Sequence, residues 1–133
     1  MPFIRYRIGG LGIPTNLECN CGLPFSIMKF SEGRTSDCLF DDQGRLVTSG
    51  PVITKIAKLF PEIEQFQIIQ KEKNVIEVRV KKNSEFHEST ESLFIQELHG
   101  FFGNSMIISL FYVECFIQNK SGKHRPLINE LIR

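Results

Sequence analysis

The chain has 133 residues, 41% of them hydrophobic, with 12 phenylalanines; that is enough for one domain with a packed interior and too few for two large ones. Sixteen basic residues against fifteen acidic ones leave a formal net charge of +1, so no basic field argues for nucleic acid and there is no acidic tail. No apolar run reaches the roughly 20 residues of a membrane span, and Met1-Pro2-Phe3-Ile4-Arg5 lacks the apolar core of a signal peptide, which predicts a cytoplasmic protein without a membrane partner.

Residues 1–31 read as irregular, because Gly9-Gly10, Ile13-Pro14 and Leu23-Pro24 break any long element. Only Ile4, Tyr6 and Ile8, alternating with Arg5 and Arg7, predict a short strand there. Cys38-Leu39-Phe40, a turn at Asp41-Asp42-Gln43-Gly44 and Arg45-Leu46-Val47 predict a hairpin. Ser49-Gly50-Pro51 starts a helix, with a small polar cap and Pro in the first turn. Val52, Ile53, Ile56, Ala57 and Phe60 share one face of it, and Pro61 ends it. Phe66 and Ile68 alternate with Gln65 and Gln67, and Ile76, Val78 and Val80 alternate with Glu77, Arg79 and Lys81. These are two half-buried strands, antiparallel around Lys71-Glu72-Lys73-Asn74. Ser89 or Thr90 caps a second helix, with Phe94, Leu98 and Phe101 as its apolar stripe and Gly100 and Gly103-Asn104 closing it. Met106 to Ile117, β-branched and aromatic, reads as a central strand. Pro126 starts a last short helix with Leu127, Ile128 and Leu131 inward. The fold class is α+β: a small antiparallel or mixed sheet of about three strands with helices packed on it, preceded by a β-hairpin.

Four cysteines in a chain this size do not make a disulfide framework; in a reducing compartment they are thiols or metal ligands. Cys19-Asn20-Cys21-Gly22 can share one zinc, but a tetrahedral structural site needs four ligands and no second paired motif exists. Cys38 and Cys115 sit in apolar strand patterns and read as core thiols. His87 and His99 read as solvated. Near the C-terminus, Lys123 follows a Ser121-Gly122 turn beside His124 and Arg125, an arrangement able to reach an anion; a solvated turn lysine has the same sequence.

Three segments, taken together, resemble the adenylate-forming enzymes, specifically the phenylacetate–CoA ligase branch and its capsular-polysaccharide (CapK-like) relatives. They are Phe3-Ile4-Arg5-Tyr6-Arg7-Ile8-Gly9-Gly10, then Gly33-Arg34-Thr35-Ser36-Asp37 with Asp42-Gln43-Gly44-Arg45, and Gly122-Lys123-His124-Arg125. Their order matches the family's, and they span nearly the whole chain, which corresponds to the last quarter to third of a complete member. The resemblance implies that residues 1–34 end a large adenylating domain and that 35–133 form the small mobile C-terminal domain. It implies Lys123 as the adenylation lysine, Arg34 as a ligand of the nucleotide's ribose or phosphate oxygens, and Asp37 as the hinge. ATP, AMP and CoA are the implied cofactors. The implied partners are the missing N-terminal domain and a small carboxylic acid. One residue departs from the pattern: the family places Asp, which takes the ribose hydroxyls, where this chain has Gly10. That loss, about 2–4 kcal/mol for two charge-assisted bonds, predicts weak nucleotide binding by this chain alone. Residues 1–31, without their parent sheet, are expected to be loose or to pair with another copy. The alternative is a stand-alone α+β interaction or regulatory module, for which Lys123 and Arg34 are incidental.

Overall fold

The computed structural model describes residues 9–34, 37–118, 122 and 124–131, with the side chains of 31–34 outside that description. The predicted strand at Ile4–Ile8 lies outside the described residues. Two antiparallel strands come first, β1 (Gly10–Pro14) and β2 (Met28–Arg34), joined by a long loop. The breakers in 1–31 therefore shorten the strands without preventing a hairpin. A second hairpin follows, β3 (Cys38–Phe40) with β4 (Leu46–Thr48), and runs straight into helix α1 (Ser49–Leu59). Its turn is built by Asp41, whose carboxylate accepts the N–H of Gln43 at 3.0 Å and of Arg45 at 2.7 Å, and the Arg45 guanidinium at 2.7 Å. Burial pushes the Asp41 carboxyl up, but these donors outweigh it and hold it below the usual carboxylate range.

The rest is one mixed sheet with two helices. β5 (Ile63–Glu72) and β6 (Val75–Lys82) form an antiparallel hairpin. Its tight turn uses Asn74 at φ 66, a conformation that Asn tolerates better than most side chains. Helix α2 (Glu88–Phe102) then carries the chain across to β7 (Ile107–Tyr112), parallel to β6. β8 (Leu127–Asn129) lies parallel to β5 on the other side, giving the order β7-β6-β5-β8. Phe66 and Ile68 of β5 and Ile76, Val78 and Val80 of β6 meet Val52, Ile56 and Phe60 of α1 and Phe94, Leu98 and Phe102 of α2 in one core. The Phe60 and Phe94 rings meet edge to face, 5.4 Å apart. α2 ends at Gly103, where a Cβ would collide with the Asp42 carboxylate. Asp42 ties this corner to the β3–β4 turn: its N–H donates to Phe102 O at 2.8 Å and its Oδ2 accepts the Ser105 N–H at 3.1 Å.

The α+β class holds, with four strands in the main sheet where about three were expected. Several local expectations fail. Pro126 does not start a helix: its carbonyl accepts the Ile68 N–H at 2.7 Å, and the residues after it pair with β5. A proline before a strand costs no ladder bond, because it lacks only its own N–H. Leu127 is buried as expected, whereas Leu131 is 41% exposed. Met106–Ile117 is not a central strand. β7 stops at Tyr112 and forms a sheet edge, turning only Ile108 and Leu110 toward the core. α2 starts at Glu88, not after Ser89 or Thr90, and Thr48 precedes α1 without a side-chain cap bond. Among the described residues, no helix is long and apolar enough to cross a membrane.

Candidate functional site

Ile117 and Arg125, on either side of the turn predicted to carry Lys123, are held on β5. Gln67, fully buried, uses its side-chain amide as a clamp. Its Nε2 donates to Ile117 O at 2.9 Å and to Arg125 O at 3.1 Å, while its Oε1 accepts the Ile117 N–H at 3.3 Å. One side chain thus grips Ile117 and Arg125 together. Between them Gln118 and His124 form an antiparallel bridge, and Gly122 takes φ 72, a left-handed conformation open to Gly at no steric cost. The His124 Nε2–H donates to Phe66 O at 2.9 Å, and the ring meets Phe116 edge to face at 5.2 Å. Lys123 itself lies outside the described residues; its two neighbours, Gly122 and His124, belong to this fixed stem.

The stem also reaches the predicted hinge. Arg125 donates to Asp37 Oδ1 from Nη2 at 2.7 Å and from Nε at 3.1 Å. Both side chains are about 30% exposed, so the pair contributes about 1 kcal/mol or less to stability; its value is positional. β3, immediately after Asp37, is held by two more side-chain amides. Gln70, fully buried, accepts the Phe40 N–H at 2.8 Å and donates to Phe40 O at 2.9 Å. Asn129 donates to Cys38 O at 2.9 Å. Asp37, β3, β5, β8, Ile117 and Arg125 are therefore cross-linked through side chains.

Arg34 ends β2, and its Cα partner across the hairpin is Gly10. The two positions that the resemblance assigns to the nucleotide thus oppose each other, although the chain brings no carboxylate side chain to that pair. Cys19 and Cys21 lie exposed in the β1–β2 loop. A hydrogen bond from Cys19, then one from the Leu23 N–H, lowers the Cys21 thiol from its ordinary range. Among the described residues, no His, Cys, Asp or Glu completes a group of three around a metal position.

Several residues were missed or misread. Gln67 reads as solvent-facing from its alternation with Phe66 and Ile68, yet it is buried, with Ile117 and Arg125 bonded to its side chain. Five consecutive buried residues from Phe66 to Gln70 are the mark of a strand covered on both sides. His124 and Arg125, beside the predicted lysine, both have their side chains engaged within the fold. Cys38 is a core thiol, pushed up by burial and by the Asp37 charge, whereas Cys115 is exposed. His87 is exposed as expected, and His99 bonds the Gly103 carbonyl through Nδ1 at 3.1 Å.

Set against known families, residues 39–130 match the model of the CapK C-terminal domain. That stretch runs from β3 through β8 and contains every element of the lysine stem. No curated protein matches the chain.

Proposed function

We propose, from the premise that this chain belongs to the CapK C-terminal domain family, that it serves an adenylate-forming enzyme of the acyl- or aryl-CoA ligase type in capsular polysaccharide biosynthesis. Residues 1–34 close the large adenylating domain, and 35–133 form the small domain that swings on Asp37. The observation that carries this reading is the clamp of Gln67 on Ile117 and Arg125, together with the Arg125–Asp37 pair. A lysine that must be delivered and withdrawn by a hinge needs a rigid link to that hinge, and the stem supplies one.

In this reading the enzyme joins a carboxylate to the α-phosphorus of ATP and expels pyrophosphate. A thiol or amine then displaces AMP from the acyl-adenylate. Lys123 neutralises the charge gathered on phosphoryl and carboxylate oxygens in the first transition state. Arg34 offers a planar fork of donors to ribose or phosphate oxygens. The facing position, Gly10, has no carboxylate for the ribose hydroxyls, so ATP or AMP binds this chain weakly and needs the upstream domain. CoA and the acid bind that larger assembly. A zinc at Cys19 and Cys21 needs two further ligands from the same source.

The test uses the enzyme with its large domain restored. Lys123→Ala should slow pyrophosphate exchange on the order of a hundred-fold and leave thioester formation from supplied adenylate unchanged, because the contact exists in one transition state only. Equal losses in both steps would reduce Lys123 to a fold-supporting residue. The second reading, a stand-alone interaction module, is favoured by one observation: the open β7 edge of the sheet.

A further inference from the structure

Among the described residues, no strand pairs with the outer edge of β7. Proteins usually blunt such edges with shortness, lysine, proline or a bulge. The opposite edge, β8, is three residues long, follows Pro126 and runs into Glu130. β7 has none of these devices. Met106 to Val113 contains no charge and no proline, and β7 pairs with β6 over six residues without a shift in register.

The ladder fixes which groups point outward. The Ile107 N–H donates to Asn74 O at 2.8 Å and the Val113 N–H to Val80 O at 3.0 Å, so odd-numbered residues bond inward. Strand alternation then turns the N–H and C=O of Ile108, Leu110 and Tyr112 toward solvent. Ile107, Ser109 and Phe111 stand exposed on the face away from the helices. Tyr112 is anchored on the helix side, its hydroxyl donating to Glu91 and its ring lying 4.0 Å beneath Lys82 Nζ.

We propose that β7 is a dimerisation edge whose occupant is β7 of a second copy, antiparallel about a two-fold axis through Ser109. Facing residues must share a sheet face, and outward-pointing residues must exchange hydrogen bonds; a centre at Ser109 satisfies both. Ile108 and Leu110 then face Leu110 and Ile108 of the second copy and exchange their N–H···O bonds. Ile107 faces Phe111 of the second copy, a β-branched–aromatic pair of the kind that stabilises sheets. Ser109 faces its own counterpart at a non-hydrogen-bonded position. Charge selects the antiparallel sense: Glu114 is the one charged residue from Asn104 to Glu114, and this sense carries the two Glu114 carboxylates to opposite ends of the seam. The contact is self-complementary and closed. It does not depend on the adenylation reading.

Sedimentation of the 133-residue chain from about 1 μM to about 1 mM, the range of weak to moderate association, should show a concentration-dependent dimer. Ser109→Lys places two ammonium groups on the axis, at a pair whose Cα atoms are about 4.5 Å apart, and should weaken the dimer about tenfold or more while leaving the melting of the dilute chain unchanged. With Cys19, Cys21 and Cys115 replaced by Ser, Ser109→Cys should cross-link to a disulfide dimer under copper–phenanthroline, and Ser89→Cys on α2 should not. A wild type that stays monomeric throughout, a dimer indifferent to Ser109→Lys, or equal cross-linking from positions 89 and 109 would overturn the proposal.

Discussion

The hairpin arm from residue 9 to 34 and the unit from Asp37 to Leu131 use similar residues to opposite effect. The arm carries Ile13, Leu17, Leu23, Phe25, Met28 and Phe30, all more than half exposed. In the second unit the helices and sheet bury Leu39, Val52, Ile56, Phe94, Leu98, Phe102 and Leu127 almost completely. Hydrophobicity alone does not make a core: a two-stranded ribbon has no second layer to close on. The sheet of the second unit is covered by α1 and α2 on one face and, at Gln67, meets Ile117 and Arg125 on the other. The same contrast separates the positions proposed to act in adenylation. Arg34 and Gly10 sit on the uncovered arm, whereas Asp37 and the stem of the lysine turn belong to the packed unit.

A pair of truncations should separate the two regions most widely. Phe94→Ala should cost about 3–5 kcal/mol and Phe30→Ala no more than about 0.5 kcal/mol, read as shifts in denaturant midpoint. Similar losses would mean that the arm has a core of its own. Next in size is the amide clamp. Gln67→Ala removes the partner of three backbone groups and should cost roughly 1–3 kcal/mol. In the complete enzyme it should also impair pyrophosphate exchange more than thioester formation, because the lysine stem loses its anchor. A loss of stability with no such asymmetry would uncouple the clamp from the chemistry.

A smaller effect is expected at the β3–β4 turn. The Asp41 carboxyl is depressed when folded, so its contribution is present above the unfolded value, near 3.9, and is lost as pH falls through the lower folded value. Asp41→Asn should therefore be less stable than wild type at neutral pH, and the gap should close below about pH 4. A gap independent of pH would assign the effect to shape and not to charge. Smallest of all, Arg125→Ala should change stability by about 1 kcal/mol or less, as suits a partly exposed pair; a much larger loss would make the pair a structural staple and not a positioning contact.

Much of this architecture was legible because periods of 2 and 3.6 are local properties. The β3–β4 hairpin, α1, the β5–β6 pair and α2 announce themselves in their own residues. What was not legible depends on distant chain. Whether Met106–Tyr112 is central or at an edge is decided by what lies beside it. Leu127–Asn129 is a strand only because β5 offers a parallel partner. Gln67 is buried only because residues 50 positions later fold over it, and Asp37 meets Arg125 across 88 positions. The resemblance selected Lys123, Arg34 and Asp37; it had no means to find the side-chain amides of Gln67, Gln70 and Asn129.

Hydrogen exchange along the 133-residue chain tests the division into arm and packed unit most directly. Amides in Phe66–Gln70 and Ile76–Val80 should open only with global unfolding, while those of Gly10–Pro14 and Met28–Phe30 exchange through local opening at far lower free energy. Protection of the arm equal to that of β5 and β6 would contradict it.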